Sequence, residues 1–233
     1  MSKVFYGKLE NDIGRMLKAY KFRLYPKPRQ VELLEKHFGC SRYIYNWGLS
    51  KKNQAYAETG KSPSRNALIK ELPKLKKETP WLTEVNSQSL QSSLFHLDAA
   101  FTNFFRRVKE HDKEPGYPAF KKKRGRLSFQ CPQHVKVDFD SNRISIPKVP
   151  NINTKFSRRF KGTIKTTTIS KNPSGKYFVS LLIDDGKPLP EKKPIDAKQA
   201  IGIDLGVKHF AVVSDGEKVG NPKFRKEGQD DIA

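Results

Sequence analysis

MLKAYKFRLYPKPRQ, residues 16–30, changes period partway along. Tyr20, Phe22 and Leu24 fall on one side and Lys21, Arg23 and Tyr25 on the other, the two-residue alternation of a half-buried strand. Pro26 and Pro28 end that strand, because proline cannot donate to a sheet ladder. Upstream, Met1 to Arg15 have no clear periodicity. Met16 is therefore the expected functional start, with residues 1–15 an upstream extension.

From Pro28 to about Lys109 the spacing is helical. Val31, Leu34 and Phe38 form a short apolar stripe, which Tyr45, Leu49, Lys52 and Tyr56 continue, with Trp47 nearby. The clearest helix follows Asn86, a residue suited to capping, and repeats through Leu90, Leu94, Leu97, Phe101, Phe104 or Phe105, and Val108. Gly60, Pro63, Pro73 and Pro80 mark the turns of this helical bundle, and the aromatics on its stripes are expected in the core.

PGYPAFKKKRGR, residues 115–126, then concentrates positive charge that has no means of packing inward, and phosphate is its expected contact. Beyond it strands return at Val135–Phe139, Arg143–Ile146, Gly162–Ile169 and Tyr177–Ile183, the last two joined by an Asn172-Pro173-Ser174-Gly175 turn. With the opening strand these predict a small β-barrel. Pro188, Pro190 and Pro194, with Lys192 and Lys193, read as a linker.

The chain has 233 residues, with 46 Lys and Arg against 24 Asp and Glu, a net charge of +22. Such a field attracts polyanions, and nucleic acid is the expected partner. A membrane is not: neither a long apolar segment nor a basic amphipathic helix with a clean apolar stripe is present. Cys40 and Cys131 lack zinc-finger spacing, and without a secretory signal they fit buried thiols in a reducing, cytoplasmic setting. His37, His96, His111, His134 and His209 show no paired spacing for a metal and read as structural or surface groups.

After the linker comes AIGIDLGVKHFAVVSDG, residues 200–216, which reads as a hairpin with Asp204 at a strand end. Ile201, Ile203 and Leu205 alternate, Gly206 leaves room beside the carboxylate, and Phe210–Val213 supply the second strand. Nucleases that hold two magnesium ions on a scissile phosphate place carboxylates on such strands.

KAYKFRLYPKPRQ (18–30), CSRYIYNWGL (40–49), WLTEVNSQSLQSSLFHLDAAFTNFF (81–105), GYPAFKKKRGRLSF (116–129) and GIDLGVKHFAVVSDGEKVGNPKF (202–224) together resemble the transposon-encoded TnpB proteins. These OrfB-type transposases are compact RNA-guided DNA nucleases related to type V CRISPR effectors. The resemblance implies an α+β fold: a first barrel strand at 16–27, a helical recognition lobe with the basic loop at 28–129, and a wedge-like β-barrel with its linker at 130–196. The start of a RuvC-like, RNase H-fold nuclease domain would occupy 197–233.

It also implies partners, a guide RNA and a double-stranded DNA target, in the cytoplasm of a prokaryotic or prokaryote-like host of the mobile element. Gln88, Gln91 and the segment Ser128 to Gln130 would lie where the short DNA motif is read, since glutamine can satisfy an adenine edge; a solvated helix face is the plain alternative for both helix glutamines. Lys121, Lys122, Lys123 and Arg124 would contact phosphates. Asp204 matches the first catalytic, magnesium-binding carboxylate.

The pattern departs after Phe224. The family continues from NPKF into a long basic helix, a Glu, a four-cysteine zinc-binding insert and a last Asp, whereas this chain reads RKEGQDDIA. Asp215, Glu217, Asp230 and Asp231 lie too close in sequence to replace ligands from other core strands, and no second cysteine pair for zinc is present. A truncated nuclease that retains its nucleic-acid-binding regions and does not cleave DNA alone is the expectation. The alternative is a nuclease-dead DNA- or RNA-binding protein that competes for guide RNA or target sites.

Overall fold

The computed structural model describes residues 15–191 and 200–222. Two compact units divide between Leu189 and Pro190. In the first, β1 (Arg15–Tyr25) leads into three helices, α1 (Pro28–Thr59), α2 (Arg65–Glu78) and α3 (Ser87–Lys109), with a 3-10 turn (Pro80–Thr83) before α3. The chain then forms β2 (Leu127–Cys131), β3 (Lys136–Asp138), β4 (Arg143–Ile146), β5 (Val149–Lys155), β6 (Thr163–Lys171) and β7 (Tyr177–Pro188). The helices are thus inserted between the first and second strands of one sheet.

That sheet has seven strands in the order β2-β6-β7-β1-β5-β4-β3, every pairing antiparallel, and curls into a half-barrel with β2 and β3 as edges. β1 sits in the middle because the alternation of its second half gives it an apolar face: Phe22 and Leu24 are buried, along with Ile144, Ile152, Ile169, Val179, Leu181 and Ile183 from its neighbours. Burying each such side chain is worth about 1.5–3 kcal/mol. The first half of α1 closes this core with Leu34 and Phe38, and its continuation packs Cys40 and Ile44 into a second core with Leu68, Leu72, Leu82, Leu90 and Leu94. One 32-residue helix therefore belongs to both cores.

Asn86 caps α3 as its position predicts, accepting a 3.2 Å bond from the Gln88 N–H. Cys40 and Cys131 are free and buried. Other details depart from expectation. Pro73 does not mark a turn but lies inside α2, where the buried stripe Leu68, Leu72 and Leu75 carries the helix through it. Packing there outweighs the roughly 3 kcal/mol that an interior proline costs a helix. Tyr56 and Phe105 are not core residues, being 64% and 59% exposed; the buried stripe of α3 ends at Leu97, and Phe105 leans on Phe104 with ring centres 5.2 Å apart. Strands β2 and β5 were not expected. β5 is interrupted by Pro150 and by Asn151 at φ 54°, and its apolar alternation is correspondingly weak.

The second unit is a three-stranded antiparallel sheet of β8 (Ile203–Leu205), β9 (His209–Val213) and β10 (Lys218–Gly220), with β9 central. β8 and β9 pair as a hairpin, but Asp204, expected at a strand end, is the middle residue of β8 opposite Val212, and β10 adds a third strand. Ile203, Leu205 and Val207 are 63%, 70% and 88% exposed.

Candidate nucleic-acid interface

In the first unit a cleft of about 370 Å³ opens where α1, α3, the basic loop and β2 meet. Phe38, Ser41 and Arg42 come from α1; Ser89, Ser92, Ser93 and His96 from α3; Lys121, Lys122, Arg124 and Arg126 from the loop; and Leu127 to Gln130 from β2. Among the described residues no carboxylate lines it. Cations over a serine-rich wall suit a ligand with several anionic oxygens, because the ammonium and guanidinium groups supply charge and the hydroxyls accept or donate.

Local geometry explains why the loop faces this way. Asn46 of α1 grips the backbone of Lys121 twice, its Oδ1 accepting from the N–H at 2.8 Å and its Nδ2 donating to the C=O at 3.1 Å. Upstream, the Tyr117 hydroxyl donates to Asn53 Oδ1 at 2.7 Å, and the Arg107 guanidinium donates to the Pro115 carbonyl at 2.7 Å. Lys121 is exposed like the rest of the charge run, but it differs from its neighbours in one contact. Its ammonium sits 4.1 Å from the ring centre of Tyr45, and desolvation there lowers its pKa. Lys122, Lys123 and Arg124 are exposed as well.

The residues singled out from sequence divide among different places. Lys121, Lys122, Arg124, Ser128 and Gln130 all line the cleft. Lys123 is not among its lining residues; its charge acts on Glu35. Partial burial works against ionisation of Glu35, but hydrogen bonds from Lys171 and Tyr177 and attraction to Lys171 and Lys123 hold its carboxyl below the usual range. Gln88 opens instead onto a second groove with Asn86, His134, Lys136 and Asn151. Its Nε2 donates to Gln133 Oε1 at 3.0 Å, and its own Oε1 is buried with no hydrogen-bond partner. Gln91 is half-buried on α3 and lines neither space.

Sequence reasoning missed Arg42, the serines and His96. The signal was available as a stripe of small polar residues, Ser89, Ser92, Ser93 and His96, running beside the leucine stripe of α3 at steps of three and four. His96 and Gln130 line the cleft together. Burial pushes the His96 pKa below the ordinary value and repulsion from Lys121 adds to this, while a hydrogen bond with Gln130 acts in the opposite direction. Ser41 Oγ is buried and lacks a partner.

Asp204 lies in the middle of β8 and is exposed. Among the described residues no group of three or more His, Cys, Asp or Glu side chains converges as a metal site would require, so the described donors do not fit a two-ion centre. Asp230 and Asp231 lie outside the described residues. Among the described residues, no helix is long and apolar enough to cross a membrane.

Comparison with known proteins places this geometry. The helix-turn-helix domain family of OrfB proteins of the IS605 group matches residues 16–61, which here form β1 and the single continuous helix α1. The chain is 31% identical over 204 residues to InsQ of Escherichia coli K12, whose name proposes an RNA-guided DNA endonuclease; the match covers 87% of this chain and 48% of InsQ. A Streptomyces pristinaespiralis protein with the same proposed activity is 32% identical over 215 residues, covering 90% of this chain and 51% of that protein. The virulence protein VsdF of Salmonella dublin is 36% identical over 122 residues, 48% of this chain and 98% of VsdF. The chain spans about half the length of the two endonuclease-named relatives. With its opening strand, its helices and its basic loop all within the matched region, the chain belongs to the TnpB family of OrfB-type transposases.

Proposed function

We propose that this chain supplies the nucleic-acid-gripping part of a TnpB-type, RNA-guided DNA endonuclease, binding a guide RNA and its double-stranded DNA target. The observation that carries the reading is the cleft, where Arg42, Lys122, Arg124 and Arg126 meet Ser128 and Gln130 without an opposing carboxylate. In this reading the half-barrel is part of the family's wedge-like barrel, the three helices are its recognition lobe, and the second unit is the start of a RuvC-like nuclease domain. Lys122 and Arg124 hold phosphates, and Ser128, Gln130 and the α3 glutamines Gln88 and Gln91 meet base edges. Guide pairing reads sequence, so the protein needs to recognise only backbone, shape and a short duplex motif. The setting in this reading is the cytoplasm of a prokaryotic host of a mobile element; the IS605-group family description and the bacterial sources of the relatives support it.

Binding is tested by fluorescence anisotropy of the purified chain with RNA and duplex DNA over a salt series. Affinity should fall steeply with salt, and Lys122→Ser combined with Arg124→Ser should flatten the duplex-DNA slope by roughly 1.8, from about 0.9 per phosphate contact. Unchanged affinity and slope in that double variant would remove the cleft from the interface.

We further propose that the chain alone does not cleave DNA. Asp204 would be the first magnesium ligand of the family's two-ion site, and Asp215, Glu217, Asp230 and Asp231 lie too near it in sequence to supply ligands from other core strands. Incubation with guide RNA, plasmid and magnesium should leave the plasmid intact; cutting that disappears in Asp204→Ala would overturn this statement. A binder that competes with complete relatives for guide RNA or target sites is the second reading, and the same assay favours it if binding persists without cleavage.

A further inference from the structure

The face of the seven-stranded sheet opposite its core carries a row of side chains that, apart from Ser128 at one end, the cleft does not use. Strand register places Ser128 beside Ser170, Ser170 beside Phe178, Phe178 beside Arg23, and Arg23 beside Lys155. The row crosses β2, β6, β7, β1 and β5, a distance of roughly 19 Å at the ordinary strand spacing. It starts at a residue of the cleft. In the adjoining positions, Lys21 pairs with Ser180 and Tyr25 with Asn153. Lys21, Arg23 and Tyr25 alternate with buried Phe22 and Leu24, so they leave the core on the opposite face.

Rings and cations interleave along this face. The Lys21 ammonium stands 4.7 Å from the Phe178 ring centre, and the Arg23 guanidinium carbon stands 5.1 Å from the same ring and 5.4 Å from that of Tyr25. Arg23 Nε is buried and has no hydrogen-bond partner. Tyr25 is 51% exposed, so its ring is open to a ligand on this face. Among the described residues none of Lys21, Arg23 and Lys155 is in an ion pair, although Lys18 and Lys171 on the same strands β1 and β6 are paired with Asp185 and Glu35. Among the described residues these three cations are therefore left without an ion-pair partner.

We infer that this face carries an unpaired polynucleotide strand leading away from the cleft at Ser128, with bases stacked on Tyr25 and Phe178 and phosphates held by Lys21, Arg23 and Lys155. The inference rests on the nucleic-acid reading proposed above and adds a second surface to it. The rings decide for a single strand: a duplex keeps its bases stacked on one another and offers this face only phosphates, whereas an unpaired base has a free π-face. Single-stranded RNA and single-stranded DNA share the chemistry.

The test is anisotropy of the whole chain with labelled 20-nucleotide single-stranded RNA, single-stranded DNA of the same sequence, and the corresponding DNA duplex. Tyr25→Ala should weaken both single strands by about 5- to 150-fold, the range carried by base–aromatic stacking, and leave duplex affinity within about twofold. Lys21→Gln combined with Lys155→Gln changes only exposed side chains and should lower the single-strand salt slope by about 1.4. Retained thermal melting of both variants establishes that the fold is intact. A wild-type chain that binds single strands while neither variant loses affinity overturns this inference and leaves the cleft reading standing. Equal loss toward duplex and single strands also overturns it. A wild-type chain that binds none of the three probes removes the functional proposal and this inference together.

Discussion

His37 Nε2 accepts a 3.1 Å hydrogen bond from the backbone N–H of Asn86, the residue that caps α3. Because that nitrogen must accept, the proton lies on Nδ1, which donates to the Leu33 carbonyl at 2.7 Å. A ring that is 0% exposed thereby ties the middle of α1 to the start of α3, and it does so only as the neutral imidazole. Ring stacking on Phe129 of β2, with centres 4.8 Å apart, brings the sheet into the same junction.

Acid should loosen this junction. Burial lowers the His37 pKa below its ordinary value near 6.5, so the unfolded chain takes up the proton first as pH falls. The contribution of His37 to stability is then complete above about pH 6.5 and is lost progressively below it, down through the lower folded-state pKa. His96 shifts in the same direction, so urea midpoints of the parent chain and of His37→Gln should be compared from pH 8 to pH 5. The parent should lose stability more steeply. His37→Ala should cost about 2–4 kcal/mol at pH 8, through the cavity and the unpaired Asn86 N–H.

Asn46 is a positioning residue for the basic loop. Substitution by alanine removes both bonds to the Lys121 backbone, each worth about 1 kcal/mol. The expected result is a modest loss of global stability with a much larger gain in tryptic cleavage at Lys121 to Arg124, because the loop opens independently of the cores. Binding to duplex DNA should weaken severalfold with the salt slope unchanged, since the cations remain and only their placement is lost.

Gly162 should tolerate no side chain. Its φ is 125°, in the region that disfavours L-residues, and a Cβ there would collide with the carbonyl of Asp184 where β6 begins to pair with β7. Gly162→Ala should destabilise the first unit by more than about 2 kcal/mol in chemical denaturation. Gly175→Ala is the useful comparison: its φ is 77°, but nothing lies within 4 Å of the added atom, so it should cost less.

Periodicity in the sequence sufficed wherever one side of an element faces a core. The alternation of β1, the leucine stripe of α3, the Asn172 to Gly175 turn and the paired strands around Asp204 were all legible because each depends on neighbours within a few residues. The positive balance of the chain, too, pointed to a polyanion without any coordinates. Pro73 and β5 misled for a common reason: local propensity opposes the element, and burial against distant residues decides it.

The candidate site depended still more on long-range placement. Nothing near Lys121 in the chain reveals that Asn46, seventy-five positions away, holds its backbone, or that Arg42, His96 and Gln130 share one cleft. Composition and spacing determined which side chains this protein has available for gripping a polyanion and which strands and helices carry them. Only the tertiary structure decided which of those side chains converge, because convergence is set by strand register and helix crossing, and these arise when separate apolar faces are buried together.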